Sequence, residues 1–224
     1  ERVMKHVRRI VTGLAAAGVG LTSMGLAAPA QAGTAAPASS HGTRSLAAVL
    51  TSDGNQFDHN WHDYDIVTEA ALAVLKAKPN SPVKVLTDGS TAITVFVPND
   101  RAFRRLASDL FHKRYHSEKA VFTDLATKVG VDTIEKGLLY HVVPGKTITA
   151  KQALGLPRNT AVATALPGAS FRVHVRDRHP VTVELKDNDP NDRNPYLVRG
   201  QLDLNKGNKQ IAHGISRVLR PADL

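Results

Sequence analysis

Residues 93–103 read Ile-Thr-Val-Phe-Val-Pro-Asn-Asp-Arg-Ala-Phe and predict a strand that turns directly into a helix. The apolar residues that alternate with the period-two spacing of a β-strand are Ile93, Val95 and Val97. Pro98 has no N–H to donate and therefore ends the strand. Asn99 and Asp100 carry side-chain oxygens that accept from the free amides of a helix start. The stretch therefore predicts a short strand, a proline turn and a capped helix.

Two other segments extend this pattern along the chain. Residues 138–145 read Leu-Leu-Tyr-His-Val-Val-Pro-Gly, and residues 211–221 read Ile-Ala-His-Gly-Ile-Ser-Arg-Val-Leu-Arg-Pro. In order and approximate separation, the three segments resemble the signature segments of the fasciclin domain family. Three ordered motifs favour a family assignment far more than any one of them does. The resemblance covers roughly residues 61–224.

The motif positions of the fasciclin family are largely matched in this chain. The matching residues are Thr94, Phe96, Pro98, Asp100, Phe103, Tyr140, His141, His213 and Pro221. The resemblance implies that such residues support the fold, and that the two histidines bond to backbone or neighbouring polar groups. The third motif departs from the family at Lys209-Gln210, where Asn-Gly is usual, and at Ser216, where Asp is usual.

The apolar spacing along the chain predicts an α+β domain, because the predicted helices cluster before most of the predicted strands. Helices are predicted over residues 66–75, 101–110, 117–128, 132–139 and 150–154, and strands over 93–97, 161–166, 170–176, 181–185, 196–204 and 211–219. Thr149 and Gln152 form a capping-box pair for the last of these helices. The resemblance implies a single fasciclin-like wedge-shaped β-sheet domain with several helices packed at one end.

The first residues have the order of a secretory signal peptide of bacterial type. Basic residues at Lys5, Arg8 and Arg9 precede an apolar run over 10–28 and then small residues up to Ala32. The Arg8-Arg9 pair leaves twin-arginine export open beside the general secretory route. The following residues are rich in Ala, Pro and Ser, as in flexible linkers. The predicted organisation is a signal peptide over 1–32, a flexible linker over 33–58 and a fasciclin-like domain over 59–224.

Composition narrows the class of protein further. The 224 residues include 29 Lys and Arg, 20 Asp and Glu and no Cys, with a formal net charge of +9. Without cysteine the chain carries neither a disulfide nor a thiolate metal site. Its length is sufficient for one domain with a well-buried core. No second long apolar stretch follows the first, so no membrane span is predicted after removal of the signal.

The motif histidines are the main candidates for catalysis. A catalytic histidine needs an oriented nucleophile or acid beside it, and the sequence shows no such partner for His141 or His213. The glycine patterns of serine hydrolases, phosphate-binding loops and dinucleotide-binding folds are also missing from the sequence. We therefore predict no catalytic residue and no cofactor. The alternative is an exported hydrolase that uses a metal or one of these histidines with a carboxylate.

Two regions contain residue types that bind metals. The first is a mixed cluster of Asp58, His59, His62, Asp63 and Asp65, where opportunistic metal binding is conceivable but a polar approach to a helix is favoured. The second, residues 187–195, lacks the glycine and the closing glutamate of a calcium-binding loop and predicts a surface turn. We therefore predict no metal site.

Four arginines in and just after the helix predicted over 101–110 are candidate binding residues: Arg101, Arg104, Arg105 and Arg114. A basic stripe of this kind attracts anionic polymers. Few aromatic residues interleave with it, which disfavours nucleic acid. Asp203-Leu204 is a further candidate, because the resemblance places it one residue away from an Asp-Ile pair linked to integrin recognition in animal members.

Together, the motifs and the signal predict a secreted, extracellular or cell-wall-associated module for cell adhesion that is not an enzyme. The predicted partners are a cell-surface or wall polysaccharide, another anionic polymer or another surface protein. Nucleic acid is not a predicted partner. A plain role in spacing or display on the envelope stays open.

Overall fold

The computed structural model describes residues 41–178 and 181–223. Its helices are α1 (Leu46–Leu50), α2 (Asp65–Ala77), α3 (Asp100–Phe111), α4 (Glu118–Lys128), α5 (Val131–Tyr140) and α6 (Ala150–Leu154), with a 3₁₀ helix at Pro82–Thr87. Its strands are β1 (Ile93–Pro98), β2 (Val142–Pro144), β3 (Thr160–Ala163), β4 (Ser170–Arg178), β5 (Val181–Lys186) and β6 (Gln210–Ile215). The predicted signal peptide lies outside the described residues. Within them, no helix is long and apolar enough to cross a membrane.

The strands form two three-stranded sheets, in the orders β2-β1-β6 and β3-β4-β5. Strand β1 pairs antiparallel with β2 and parallel with β6, in a register that places Ile93 opposite Gln210 and Pro98 opposite Ile215. All six residues of β1 are buried, because core packs against both faces of its sheet. The predicted α+β class is confirmed, although the strands divide into two sheets instead of forming one.

Alternating side chains of β1 enter two different core clusters. Val95 and Val97 join the cluster that contains the apolar faces of α2, α3, α4 and α5. Phe96 points the other way, into the cluster shared by the two sheets, where its ring contacts Phe171 edge-on at a centroid distance of 5.2 Å. Tyr140 also packs against Phe171, and its hydroxyl donates a hydrogen bond to the Ser170 carbonyl at 3.0 Å. The period-two pattern of the strand thus joins the helical layer to the second sheet.

Side-chain caps begin α3, α4 and α6, and two of these caps, Asn99 and Thr149, were predicted. Asn99 Oδ1 accepts from the Ala102 amide at the start of α3, and Ser117 Oγ accepts from the Ala120 amide at the start of α4. Thr149 begins α6 with both bonds of a capping box. The predicted start of α5 at Asp132 is late, because that helix begins at Val131 without a side-chain cap.

The prediction of a strand over 196–204 is wrong. Among the described residues this segment pairs as isolated bridges: Tyr196 with Glu184, Leu197 with Ile215, and Leu204 with Ala212. Gly200 has φ +81° and Asp203 has φ +55°, so the backbone leaves the extended region twice. The segment therefore connects the edges of β5 and β6 without becoming a strand.

The predicted flexible linker over 33–58 is also wrong where the structure describes it. Helix α1 lies inside this range, and its first residue, Leu46, is fully buried in the core. The neighbouring backbone packs so closely that a Cβ on Gly89 would lie 1.8 Å from the Thr43 carbonyl oxygen. The packed domain therefore begins well before residue 59.

Candidate functional site

His141 lies at the end of α5 and is nearly inaccessible. Its Nδ1–H donates to the Gly137 carbonyl at 2.7 Å, and its Nε2 accepts from the Leu219 amide at 2.9 Å. Burial lowers the pKa of His141 to about 4, although the bond to Gly137 acts in the opposite direction. The ring is therefore neutral at physiological pH and joins α5 to the C-terminal motif.

His213, in β6, is equally buried and equally engaged. Its Nδ1 accepts from the Asp203 amide at 3.2 Å, and its Nε2–H donates to the Ile148 carbonyl at 2.8 Å. Burial lowers the pKa of this histidine as well. Because all four ring nitrogens of the two motif histidines bond to backbone groups, neither ring supports the hydrolase alternative.

Thr94 and Asp100 also bond to backbone groups from distant parts of the chain. Thr94 Oγ1 accepts from the Ile148 amide and donates to the Lys146 carbonyl, both at 2.8 Å. Asp100 Oδ1 accepts from the Ile66 amide at 3.0 Å, so the first residue of α3 caps α2. The motif positions thus connect elements that are far apart in sequence.

Asp203 and Leu204, candidates for recognition by sequence, have their polar groups engaged inside the domain. Asp203 Oδ1 accepts from the Ala150 amide at 2.7 Å, at the start of α6. The backbone N–H and C=O of Leu204 pair with Ala212 at 2.9 and 3.0 Å. These contacts give the pair a structural role beside His213.

Three of the four candidate arginines gather on one side of α3, and we call Arg101, Arg104 and Arg105 the arginine face. The guanidinium carbon of Arg104 lies 4.3 Å from the centre of the Trp61 ring, and Arg105 donates to the Ser216 carbonyl at 2.7 Å. The pKa of Arg105 is lowered by burial and then by the like charges of Arg101, Arg217 and Arg104. Arg114 is exposed beyond the end of α3 and lies outside this face.

A buried arginine that the sequence did not single out organises residues 187–195. The guanidinium of Arg220 lies 3.2 Å from Asp189, 3.0 Å from Asp192 and 3.3 Å from Asp109. Asp189 is itself buried, so the predicted surface turn is in part an interior segment. The useful signal in the sequence was an arginine directly after the apolar pair Val218-Leu219.

A second group missed in part by the sequence is the acidic cluster, defined here as Asp58, Asp63, Asp65, Asp100 and Glu118. Burial and then neighbouring carboxylates raise the pKa of Asp65 to about 7. Burial and a bond to Asp63 raise the pKa of Asp100 to about 9. The two histidines that the sequence grouped with this region are exposed and belong to neither set of converging ligand atoms.

An apolar cavity of about 500 Å³ lies between α2, α3, α4, α5 and the C-terminal segment. Its walls are mostly large apolar side chains, among them Phe103, Leu106, Phe122, Leu125, Ile134 and Val218. The charged residues that line it are Lys136 and Arg220. Its volume lies within the range of pockets that hold small ligands.

Comparison with known families agrees with this arrangement. The model of the fasciclin domain family matches residues 68–221, which is more than half of the chain. The chain belongs to the fasciclin domain family. Domains of this family are in general extracellular modules related to adhesion, and in general they are not enzymes.

Among solved structures, the fasciclin chain is similar to a FAS1 domain pair from the insect cell adhesion molecule fasciclin I. The two are 14% identical and superpose with a TM-score of 0.43, over 70% of this chain and 43% of the other. The present chain thus spans less than half of that domain pair. No curated protein sequence matches it significantly.

Proposed function

We propose that this fasciclin chain is a secreted, non-catalytic adhesion or binding module that engages anionic polymers at a cell surface or wall. Membership of a family of extracellular adhesion-related modules supports the class of function. The observation that supports this type of partner is the arginine face. A module of this kind requires no cofactor, and its two motif histidines serve packing.

The arginine face has the chemistry to bind a polyanion. Arg101 is exposed, and Arg104 and Arg105 lie three and four residues further along, so the three point to the same side of α3. Arg217 also lies near Arg105, but its guanidinium pairs with Asp109 at 3.6 Å and with Asp192 at 3.9 Å. Like charges held this close repel one another, and a polymer of phosphates or carboxylates relieves that repulsion. Guanidinium groups also bind such anions through paired hydrogen bonds.

Charge reversal tests the arginine face directly. The double variant Arg101→Glu/Arg104→Glu is expected to bind polyphosphate and isolated wall polymers at least about tenfold more weakly at physiological salt, because two attractive contacts become repulsive. Binding by the unaltered chain should also weaken as salt is raised. Co-sedimentation with the polymer, or biolayer interferometry, over a salt series would measure the affinity and check both results.

The matched control carries the same change in net charge elsewhere. Lys146 follows β2 and Lys151 lies in α6, and both are exposed, so Lys146→Glu/Lys151→Glu alters total charge at residues outside α3. The control is expected to lose less than about threefold in affinity, through long-range attraction alone. Equal losses in the two double variants would show that net charge, and not the arginine face, causes the binding.

A second candidate function, binding of a single-chain amphiphile such as a fatty acid, is favoured by the apolar cavity. Its apolar walls suit an acyl chain, and Lys136 lines it as an exposed cation that complements a carboxylate head. Arg220 is less suited to the head group, because three aspartates already surround it.

Filling the apolar cavity tests this second function. Ala126→Phe, on the cavity wall of α4, is expected to reduce binding of a fluorescent fatty acid at least about tenfold by occupying the space of the acyl chain. Thr127→Phe adds the same ring one position along α4, where the residue is exposed and outside the cavity, and should leave binding intact. Uptake that is unchanged in Ala126→Phe would exclude the cavity as the binding site.

A further inference from the structure

The acidic cluster brings carboxylates from three helix starts and one loop together. Asp65, Asp100 and Glu118 each occupy the first position of a helix, in α2, α3 and α4, and Asp58 and Asp63 come from the preceding loop. One oxygen from each of Asp58, Asp65 and Glu118 lies within 4.8 Å of the other two. The same holds for Asp63, Asp65 and Asp100. Since Asp65 belongs to both sets, the five carboxylates form one continuous group.

Backbone hydrogen bonds hold the loop against the helix starts. The Asp100 amide donates to the Asp63 carbonyl at 3.1 Å, and the Arg101 amide donates to the Trp61 carbonyl at 2.9 Å. The His59 amide donates to Glu118 Oε2 at 3.0 Å. The position of the acidic cluster is therefore set by backbone contacts, which keep the carboxylates together despite their mutual repulsion.

Several oxygens of the acidic cluster are buried without a donor. Asp100 is 0% exposed and Glu118 is 1% exposed. Glu118 Oε1 has no hydrogen-bond partner among the described residues, and Asp100 Oδ2 and Asp63 Oδ1 accept none from an N–H or hydroxyl group, although the Asp63 and Asp100 carboxyls hydrogen-bond to each other. A buried carboxylate oxygen without a partner costs folding free energy. The unpaired oxygens therefore indicate a bound group that they contact.

The charge of the acidic cluster points to a cation as that group. None of the ion pairs formed within residues 41–178 and 181–223 includes a cluster carboxylate, whereas Asp109, Asp124 and Glu184 all have basic partners. The N-termini of α2, α3 and α4 supply only partial positive charge to the carboxylates at those helix starts. The ligands are all oxygen, the set that Ca²⁺ prefers, with six to eight donors in flexible geometry. Mg²⁺ requires a stricter octahedron and keeps more of its water.

We propose that the acidic cluster binds one calcium ion, with Asp65 as the central ligand and Asp58, Asp63, Asp100 and Glu118 around it. Bound calcium would attach the loop that contains Trp61 to the starts of α2, α3 and α4. Because Trp61 in turn packs against Arg104, the ion would also stabilise one edge of the arginine face. The site is separate from the apolar cavity and from both motif histidines.

Binding is measured on the full chain after treatment with a chelator. Titration with CaCl₂ in a calorimeter should show one site, and Tm should rise by roughly 5–10 °C when calcium is in hundredfold excess over Kd. Terbium provides a local signal, because the chain has a single tryptophan and it lies in the cluster loop. Excitation of Trp61 should sensitise bound terbium, and calcium should displace it.

Three variants separate a specific site from diffuse negative charge. Asp58→Asn alters the exposed ligand, and its side-chain oxygen can still accept from the Asn60 amide. Asp53→Asn is the matched control, an exposed residue of the same loop whose Oδ1 accepts from the Asn55 amide but which lies outside the acidic cluster. Calcium affinity should fall at least tenfold in the first and less than threefold in the second. Asp65→Asn should abolish binding yet raise Tm in the absence of calcium, because it removes a buried charge.

Clear results would overturn the proposal. A chain that shows neither heat nor a Tm shift at 10 mM calcium does not contain this site. If Asp58→Asn and Asp53→Asn weaken calcium binding equally, the ion is attracted by the general negative charge of the loop and is not coordinated by the acidic cluster. Tighter binding of Mg²⁺ than of Ca²⁺ would contradict the assignment of the ion.

Discussion

Replacing Gln210 with alanine is expected to lower the free energy of unfolding by about 3 kcal/mol, because three buried backbone groups lose their partner. Gln210 is 0% exposed. Its Oε1 accepts from the Leu46 amide at 2.7 Å, and its Nε2 donates to the carbonyls of Val85 at 2.7 Å and Asp88 at 2.8 Å. One amide thus joins α1 and the 3₁₀ helix to β6. Urea denaturation followed by Trp61 fluorescence would measure the loss.

Two comparisons make the Gln210 result specific. Gln210→Glu keeps the size and the acceptor but loses both donors, so it should cost at least as much as alanine. Gln56→Ala, at an exposed glutamine, should change stability by less than about 0.5 kcal/mol. Hydrogen exchange should also show loss of protection at the Leu46 amide in Gln210→Ala. A cost below about 1 kcal/mol together with unchanged protection there would refute this role for Gln210.

The second large effect is a loss of stability in acid caused by His141. Burial lowers its folded-state pKa to about 4 from the ordinary 6.5, so the unfolded chain takes up the proton first as pH falls. The stabilising contribution is complete above pH 6.5 and is lost as pH falls to about 4. This difference in pKa corresponds to a loss of about 3 kcal/mol in the free energy of unfolding. His213, whose pKa is also lowered, acts in the same direction.

A difference measurement isolates His141 from the other titrating groups. His141→Gln is expected to be less stable than the unaltered chain at pH 7, because the bonds to Gly137 and Leu219 change. The difference in free energy of unfolding between the two proteins should then shrink by about 3 kcal/mol between pH 7 and pH 4, since glutamine does not titrate. The same measurements on His112→Gln, at an exposed histidine, provide the control. A gap for His141→Gln that is constant with pH would contradict a buried neutral histidine.

Helices α2 to α6 were predicted to within two residues because their signals are local. The apolar spacing of α2 lies within one helix, and the caps of α3, α4 and α6 lie within three residues of the amides they bond. The strand predicted over 196–204 failed because β-forming residues become a strand only beside a partner in register. In this segment the backbone forms only isolated β-bridges with its neighbours.

The beginning of the domain was misplaced for a related reason. Residues 33–45 have the composition of a linker, and α1 has only five residues, too short to be stable alone. Its stability comes from burial of Leu46 and from Gln210, 164 residues further along the chain. The sequence showed Gln210 as a departure from the family motif, but composition alone carries no information about a contact at that distance.

By itself, the sequence determined the family, the α+β class and the helices whose apolar stripes and caps lie close together in the chain. Tertiary structure alone decided which distant groups meet. It placed Asp100 and Glu118 beside Asp65, put Gln210 under α1 and engaged all the ring nitrogens of the motif histidines. The physical reason is that capping and periodicity act over a few residues, whereas burial and charge act between neighbours in space.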